Sequence, residues 1–349
     1  MKPVAICKNL LARKRTKFSD IEGWESWLDR HNIPWEYLDC YAPDVISKLP
    51  NYSALLWHYS NFVNADLMEA QNILNIAKDL GLIVYPDYRT GWHFDDKIAE
   101  MYALQAVNAP IPRSWVFYEL DRCEKWLEEE AEYPIVAKLR RGSGANNVRL
   151  LKNAGEAKSY ARRMFSRGYS PAQSLVYKTY SKVQSTHDWK TFKHRLKQVP
   201  NFLKARWFGK GMPVEKGYCY FQEFIDNAGF DLKVAVVNDK CSFLNRPVRK
   251  HDFRASGGGT IQYDKACISD DIVRSAFQAA KALKMQCVGF DYVVDRKSGE
   301  GKIIEMCHGF DAGAIYGCGG YWDQDLVWHD GPLNAQTELL QMLFGGTEK

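Results

Sequence analysis

No run in the chain approaches the roughly 18 consecutive apolar residues of a membrane-spanning helix, so no span is expected. The first ten residues, MKPVAICKNL, lack a sustained apolar stretch and lead into the basic LARKRTK, which argues against a secretory signal. The nine cysteines include no C-x-x-C spacing. An odd, scattered set reads as the reduced thiols of a cytoplasmic protein, not as a zinc or disulfide framework. There is no G-x-G-x-x-G, so a dinucleotide fingerprint is missing as well. Charge of one sign is also scarce. The 47 Lys and Arg against 42 Asp and Glu leave a net +5, which suits acidic substrates better than a nucleic-acid partner.

What is present is a globular composition, 46% hydrophobic and 13% aromatic over 349 residues, enough for two or three subdomains. Short apolar runs at 3–7, 34–39, 53–59 and 81–85 alternate with amphipathic segments at 20–31 and 65–80. That alternation predicts a small doubly wound α/β domain with a parallel sheet over 1–90. Asp95, Asp96 and Lys97 then open a helix, with the acids at the favourable end of its dipole. Strands are expected at 114–118, 133–138 and 149–151, with an acidic helix at 119–132.

The stretch 289–311, GFDYVVDRKSGEGKIIEMCHGFD, reads as two strands, 291–295 and 302–306, around a Ser298–Gly301 turn. Pairing them brings Asp291 and Glu305 face to face. Two such carboxylates repel unless a cation lies between them; a surface hairpin with both acids in water is the plainer alternative. Lys138 ends the apolar strand at 133–138, where a lysine is expensive unless it meets an anion. The Gly142-Ser143-Gly144 turn after it suits convergent backbone N–H groups around phosphate, and a plain hairpin stays open there too.

Residues 178–216 hold ten Lys or Arg against Asp188 and Glu215, with Trp189, Phe192, Phe202, Trp207 and Phe208 interleaved. A solvated face, an acidic substrate and single-stranded nucleic acid all remain open for this insert. Strands follow at 218–225, 231–237 and 240–244, the last two joined at Asn238-Asp239. Arg246, Arg249 and Arg254 lead into the glycine run 257–259, a cationic stretch suited to a charged transferring group.

In order, Asp96-Lys97, Lys138 with its Gly-Ser-Gly, Gln-Glu-Phe-Ile at 222–225, Asp231-x-Lys233, Asp252-Phe-Arg254 and Gly289-Phe-Asp291 with Glu305 form a set. That set, over about 85–311, resembles the ATP-grasp superfamily, especially its glutathione synthetase and ribosomal-protein glutamate ligase branch. The resemblance implies an α+β ATP-grasp fold after the N-terminal domain, with two antiparallel sheets sandwiching the nucleotide. It divides the chain into 1–90, a small subdomain at 91–220 carrying the insert, and a C-terminal subdomain at 221–349. It implies that Lys97 and Lys138 hold ATP phosphates beneath a loop at Gly142, Ser143 and Gly144. Glu223 would accept from the adenine amino group, Phe224 would offer backbone groups, and Asp231 would touch nucleotide or substrate. Arg254 would neutralise the transferring phosphoryl group, and Arg246 and Arg249 would position an acidic substrate. Asp291 and Glu305 would hold Mg²⁺, with Mn²⁺ as an alternative.

Two departures stand out. Cys307 occupies the place of a usual asparagine, and a thiol is a poor partner for a hard cation. Lys233 replaces a common arginine and loses its forked donor. The expected activity is ATP-dependent carboxylate–amine ligation through an acyl-phosphate, on an acid such as an acidic sugar or a surface-polysaccharide precursor. Its alternatives are an ATP-binding protein with impaired catalysis and a nucleic-acid-binding module built on the insert. A dimer is left open.

Overall fold

The computed structural model describes residues 2–7, 20–61, 63–142, 147–170, 213–248 and 260–345. Strands β1 (Val4–Cys7), β2 (Trp35–Leu38), β3 (Ala54–Leu56) and β4 (Ile83–Tyr85) form a parallel sheet in the order β2-β1-β3-β4. The runs VAIC and ALL are buried throughout, as strands covered on both faces must be. Helices α1 (Asp20–Arg30), α2 (Val45–Lys48) and α3 (Asn64–Asp79) connect these strands. In α3, Ala70, Ile73, Leu74 and Ala77 fall on one helical stripe and are buried.

After the short α4 (Tyr88–Gly91) comes α5 (Lys97–Ala106), whose N-cap Asp96 accepts from the Ala99 N–H. Strands β5 (Ser114–Phe117), β6 (Ile135–Lys138), β7 (Val148–Leu151) and β8 (Cys219–Glu223) form an antiparallel sheet in the order β5-β8-β6-β7. Helices α6 (Leu120–Glu129) and α7 (Ala154–Met164) pack on one side of it through Trp126, Leu127, Tyr160 and Met164. Helix α6 is acidic, as expected, but its apolar stripe belongs to a core.

Past α7 the chain reaches Tyr169, which exchanges two backbone hydrogen bonds with Glu215, at 3.0 and 2.9 Å. Gly168 makes this closure possible: its φ is +67°, and a Cβ there would stand 2.3 Å from the Glu215 carbonyl oxygen. Residues 171–212, nearly all of the basic insert, lie outside the described residues.

The third sheet contains β9 (Asn227–Val237), β10 (Lys240–Pro247), β11 (Cys287–Asp295), β12 (Gly301–Cys307), β13 (Gly320–Trp322) and β14 (Trp328–Asp330). Their order is β12-β11-β9-β10-β13-β14, and every pairing is antiparallel. Alternation along β9 separates its two faces. Leu232, Val234 and Val236 pack under α8 (Asp270–Leu283), which Ser269 caps. Ala235 and Val237 join the core beneath β1, β3 and α10 (Ala335–Phe344), with α9 (Ala312–Tyr316) beside it. The last helix thus returns to the first sheet, where Phe344 stacks on Trp27. No helix among the described residues is long and apolar enough to cross a membrane.

Candidate nucleotide and metal site

The charged positions of the third sheet follow from its register. Asp291 stands directly opposite Glu305 on β12 and opposite Lys233 on β9, so the three side chains form one row across three strands. Hairpin pairing at the Asn238-Asp239 turn sets Asp231 opposite Arg246 on the same face. Lys233 Nζ lies 2.8 Å from Asp291 Oδ2, and Arg246 Nη2 lies 3.0 Å from Asp291 Oδ1. Arg246 also bonds both oxygens of Asp231, with Nε 3.0 Å from Oδ2 and 3.3 Å from Oδ1. Asp231 is 0% exposed. Burial pushes its pKa up to about 7 against the opposing pull of Arg246. Gly289 leaves room for the Lys233 stem, since a Cβ there would stand 3.2 Å from its Cδ and 2.9 Å from the Phe310 Cβ.

On the outer side of this row, α5 brings a second set of charges. Lys97 Nζ donates to the Gly142 carbonyl at 2.6 Å and lies 3.5 Å from Glu305 Oε1. Burial works against its ammonium, but Glu305, Glu100 and Asp95 outweigh it and hold the pKa above the usual lysine range. Lys138 Nζ donates to the Ile304 carbonyl at 3.2 Å. That carbonyl belongs to a bulge, where the β11–β12 register shifts between Asp291 and Tyr292. Burial is the largest influence on Lys138, and with Lys97 nearby it brings the pKa down to about 8 despite Glu305.

The N-terminus of α5 also grips the chain entering the Gly-Ser-Gly stretch. Lys97 N–H donates to the Arg140 carbonyl, Gly142 N–H donates to Asp95 Oδ1 at 3.1 Å, and Arg140 Nε donates to Asp96 Oδ2 at 2.6 Å. Gly142 has a φ of +110°. Ser143 and Gly144 lie outside the described residues, as do Arg249 and Arg254.

Two sequence expectations change here. Along β8, Tyr220 and Gln222 pair with Lys138 and Val136 and share their face. Glu223 falls on the opposite row with Phe221, and its carboxylate accepts from the Arg113 N–H at 3.0 Å and Nε at 2.7 Å. The expected adenine-facing side chain is thus turned to Arg113, and Gln222 takes the inward position. Phe224, half-buried, follows directly. Asp231 is bonded to Arg246 inside the sheet, so its influence on any ligand passes through that guanidinium. Its place opposite Arg246 was readable by counting inward from the turn.

Glu100 had no sequence signal beyond its position one turn after Lys97. The aromatic wall beside Cys307 was likewise unforeseen. Tyr59, Phe94 and His308 pack together, and a Cβ on Gly309 would touch His58, Cys307 and Phe94. Burial pushes the Cys307 thiol up to about 12 and brings the nearby His93 down to about 4, leaving both neutral near pH 7. Residues 320–322 and 328–330 supply β13 and β14 at the sheet edge opposite β12, where Trp322 packs on Phe243 and Trp328.

Lys97, Glu100, Tyr220, Gln222, Ile304 and Glu305 line a narrow cavity between the two antiparallel sheets. A larger cavity of about 630 Å³ opens between α8 and residues 324–326, walled by Arg274, Lys281 and Lys284. It holds none of the facing acids or inward lysines, whereas Lys97 and Glu305 line the narrower one.

This architecture matches solved ATP-grasp structures over nearly the whole chain. D-cycloserine synthetase DcsG aligns with a TM-score of 0.61 and 11% identity, covering 99% of each chain. A RimK domain ATP-grasp protein from Sphaerobacter thermophilus gives 0.54 and 12%, covering 98% of this chain and 100% of its own. The ATP-grasp ligase PsnB, complexed with minimal precursor, Mg and ADP, gives 0.54 and 14%, covering 99% and 97%. No family model and no curated protein sequence matches the chain. The fold is therefore ATP-grasp, and its junction of two antiparallel sheets is where Lys97, Lys138, Asp291 and Glu305 meet.

Proposed function

We propose that the chain is an ATP-dependent carboxylate–amine ligase. The carrying observation is the row Lys233–Asp291–Glu305 with Lys97 and Lys138 buried beside it, at the sheet junction of an ATP-grasp fold. Lys97 and Lys138 bind the nucleotide phosphates, and Gln222 and Phe224 border the adenine. The donor set fits a hard divalent cation, because Asp291 and Glu305 supply facing carboxylate oxygens and Mg²⁺ commonly takes one or two carboxylates plus substrate phosphates. Asp291 and Glu305 would hold it, and the soft sulfur of Cys307 is a poor partner for a hard cation. Bound there, Mg²⁺ or Mn²⁺ would supply charge neutralisation for the phosphates. Arg246 and Lys233, with Arg254 and Arg249 from the glycine-rich stretch, spread the charge of in-line transfer. A substrate carboxylate oxygen bonds the γ-phosphorus as ADP leaves. An amine then attacks the acyl-phosphate carbon, forming the amide and releasing phosphate and a proton.

The test is ADP release over a matrix of acids and amines. Sugar acids and polysaccharide precursors form one arm, as the basic insert suggests. Amino acids form a second and peptides a third, the latter prompted by the precursor-bound PsnB. Lys138→Ala and Glu305→Ala are each expected to lose turnover while remaining folded; near-wild-type release by either variant overturns the site. Nucleotide binding without turnover is the second reading, favoured by Cys307 and by the two cations already bonded to Asp291. Tight MgADP binding with no ADP release across the matrix would select it.

A further inference from the structure

We infer that Glu100 is a positioning residue that sets Glu305 for its work by holding the next backbone amide, an assignment that rests on the ligase reading. Strand β12 is the edge of its sheet, pairing with β11 on one side only. An edge strand exposes a row of unpaired N–H and C=O groups. Here the outward groups nearest the site are claimed from across the sheet junction. Ile303 N–H donates to the Pro110 carbonyl at 2.7 Å, and the Ile304 carbonyl accepts from Lys138 Nζ. Met306 N–H donates to Glu100 Oε2 at 3.1 Å, a bond between residues 206 apart in sequence.

These bonds flank Glu305 on both sides, immediately after the bulge that re-aims the strand. Glu100 is 3% exposed, and a buried carboxylate is costly unless it is paired and bonded. Lys97, three residues earlier on the same helical face, offsets part of that cost against burial and the facing Glu305, and the Met306 N–H donates to Oε2. One turn of α5 thus grips the phosphate lysine and the strand carrying Glu305 together. Without the bond, the Met306 amide would be left buried and unmet, and Glu305 would be free to drift from Asp291 and Lys97.

Cover of a sheet edge for stability alone is the competing role, and nucleotide binding separates the two. Glu100→Met keeps the side-chain length without an acceptor, whereas Glu100→Gln keeps the acceptor. ADP affinity would be measured by calorimetry with MgCl₂ and again in EDTA, with thermal unfolding recorded for each protein. Loss of a group that orients a metal ligand commonly costs 10- to 100-fold in metal affinity. Glu100→Met is therefore expected to weaken MgADP by about 10-fold or more while leaving ADP in EDTA near wild type, and Glu100→Gln is expected to recover most of the loss. Should Glu100→Met not fold, Glu100→Ala takes its place. Equal losses with and without Mg²⁺, no loss at all, or a glutamine variant no better than the methionine one would overturn the assignment. A wild-type protein that does not bind MgADP would overturn the ligase reading itself, and this assignment with it.

Discussion

Lys97 and Lys138 are buried almost equally, at 7% and 6% exposure, yet their protons are held oppositely. Lys97 has an acid on its own helix, a second before it and a third across the junction, and its ammonium is retained. Lys138 ends its strand against a carbonyl, with Lys97 nearby, and its ammonium is weakened. Burial alone would have lowered both; the arrangement of neighbours decides the sign. The same contrast divides the larger charge cluster. Asp231, Arg246, Asp291 and Lys233 close on one another within one sheet, whereas Lys97, Lys138, Glu100 and Glu305 span two sheets and lean on backbone groups. The first set is closed by ion pairs between side chains of one sheet, and the second is held by contacts that cross from α5 and β6 to β12.

The largest effect should come from opening the closed set. Arg246→Met strands Asp231 in the interior and is expected to cost about 3–5 kcal/mol in urea unfolding, most of it recovered when Asp231→Leu is added. A cost below about 1 kcal/mol would mean that the network was never closed. Next comes the pH dependence of the two lysines. Between its folded pKa of about 8 and its ordinary 10.5, Lys138 is protonated more in the unfolded chain, so its contribution to stability rises with pH. The wild-type minus Lys138→Met difference should therefore climb by up to about 3 kcal/mol over that window. Lys97 has the opposite sign. Its contribution is full below the ordinary lysine pKa and falls only as pH rises above it. Identical curves for the two variants would erase the distinction. The smallest effect belongs to the surface. Glu132→Ala breaks an ion pair to Arg113, which is 58% exposed, and should shift stability by no more than about 1 kcal/mol.

Much of this site could be read because its parts are local. Two β-branched runs around Ser298–Gly301 define a hairpin, and period-two alternation then sets Asp291 against Glu305. Acids before Lys97 mark a helix start because the dipole favours them there. What escaped was set by pairing between distant strands. Glu223 was expected to face adenine, but only its alignment with Ile135 on β6 reveals that it lies on the helix-side row. Glu100 meets Met306 through the docking of α5 against β12, which no spacing along the chain encodes. Asp231 and Arg246 form an instructive middle case. Each was assigned a separate ligand role, although the register of a tight hairpin already made them partners.

The clasp between Tyr169 and Glu215 has a consequence for modularity. Two backbone bonds and a tight glycine bring the flanks of residues 171–212 together before β8 begins, so the described frame closes on its own at that point. A basic, aromatic-rich segment attached at such a joint is a natural unit of exchange. It could be gained, lost or replaced by a short turn while the strands carrying Lys138 and Gln222 keep their partners.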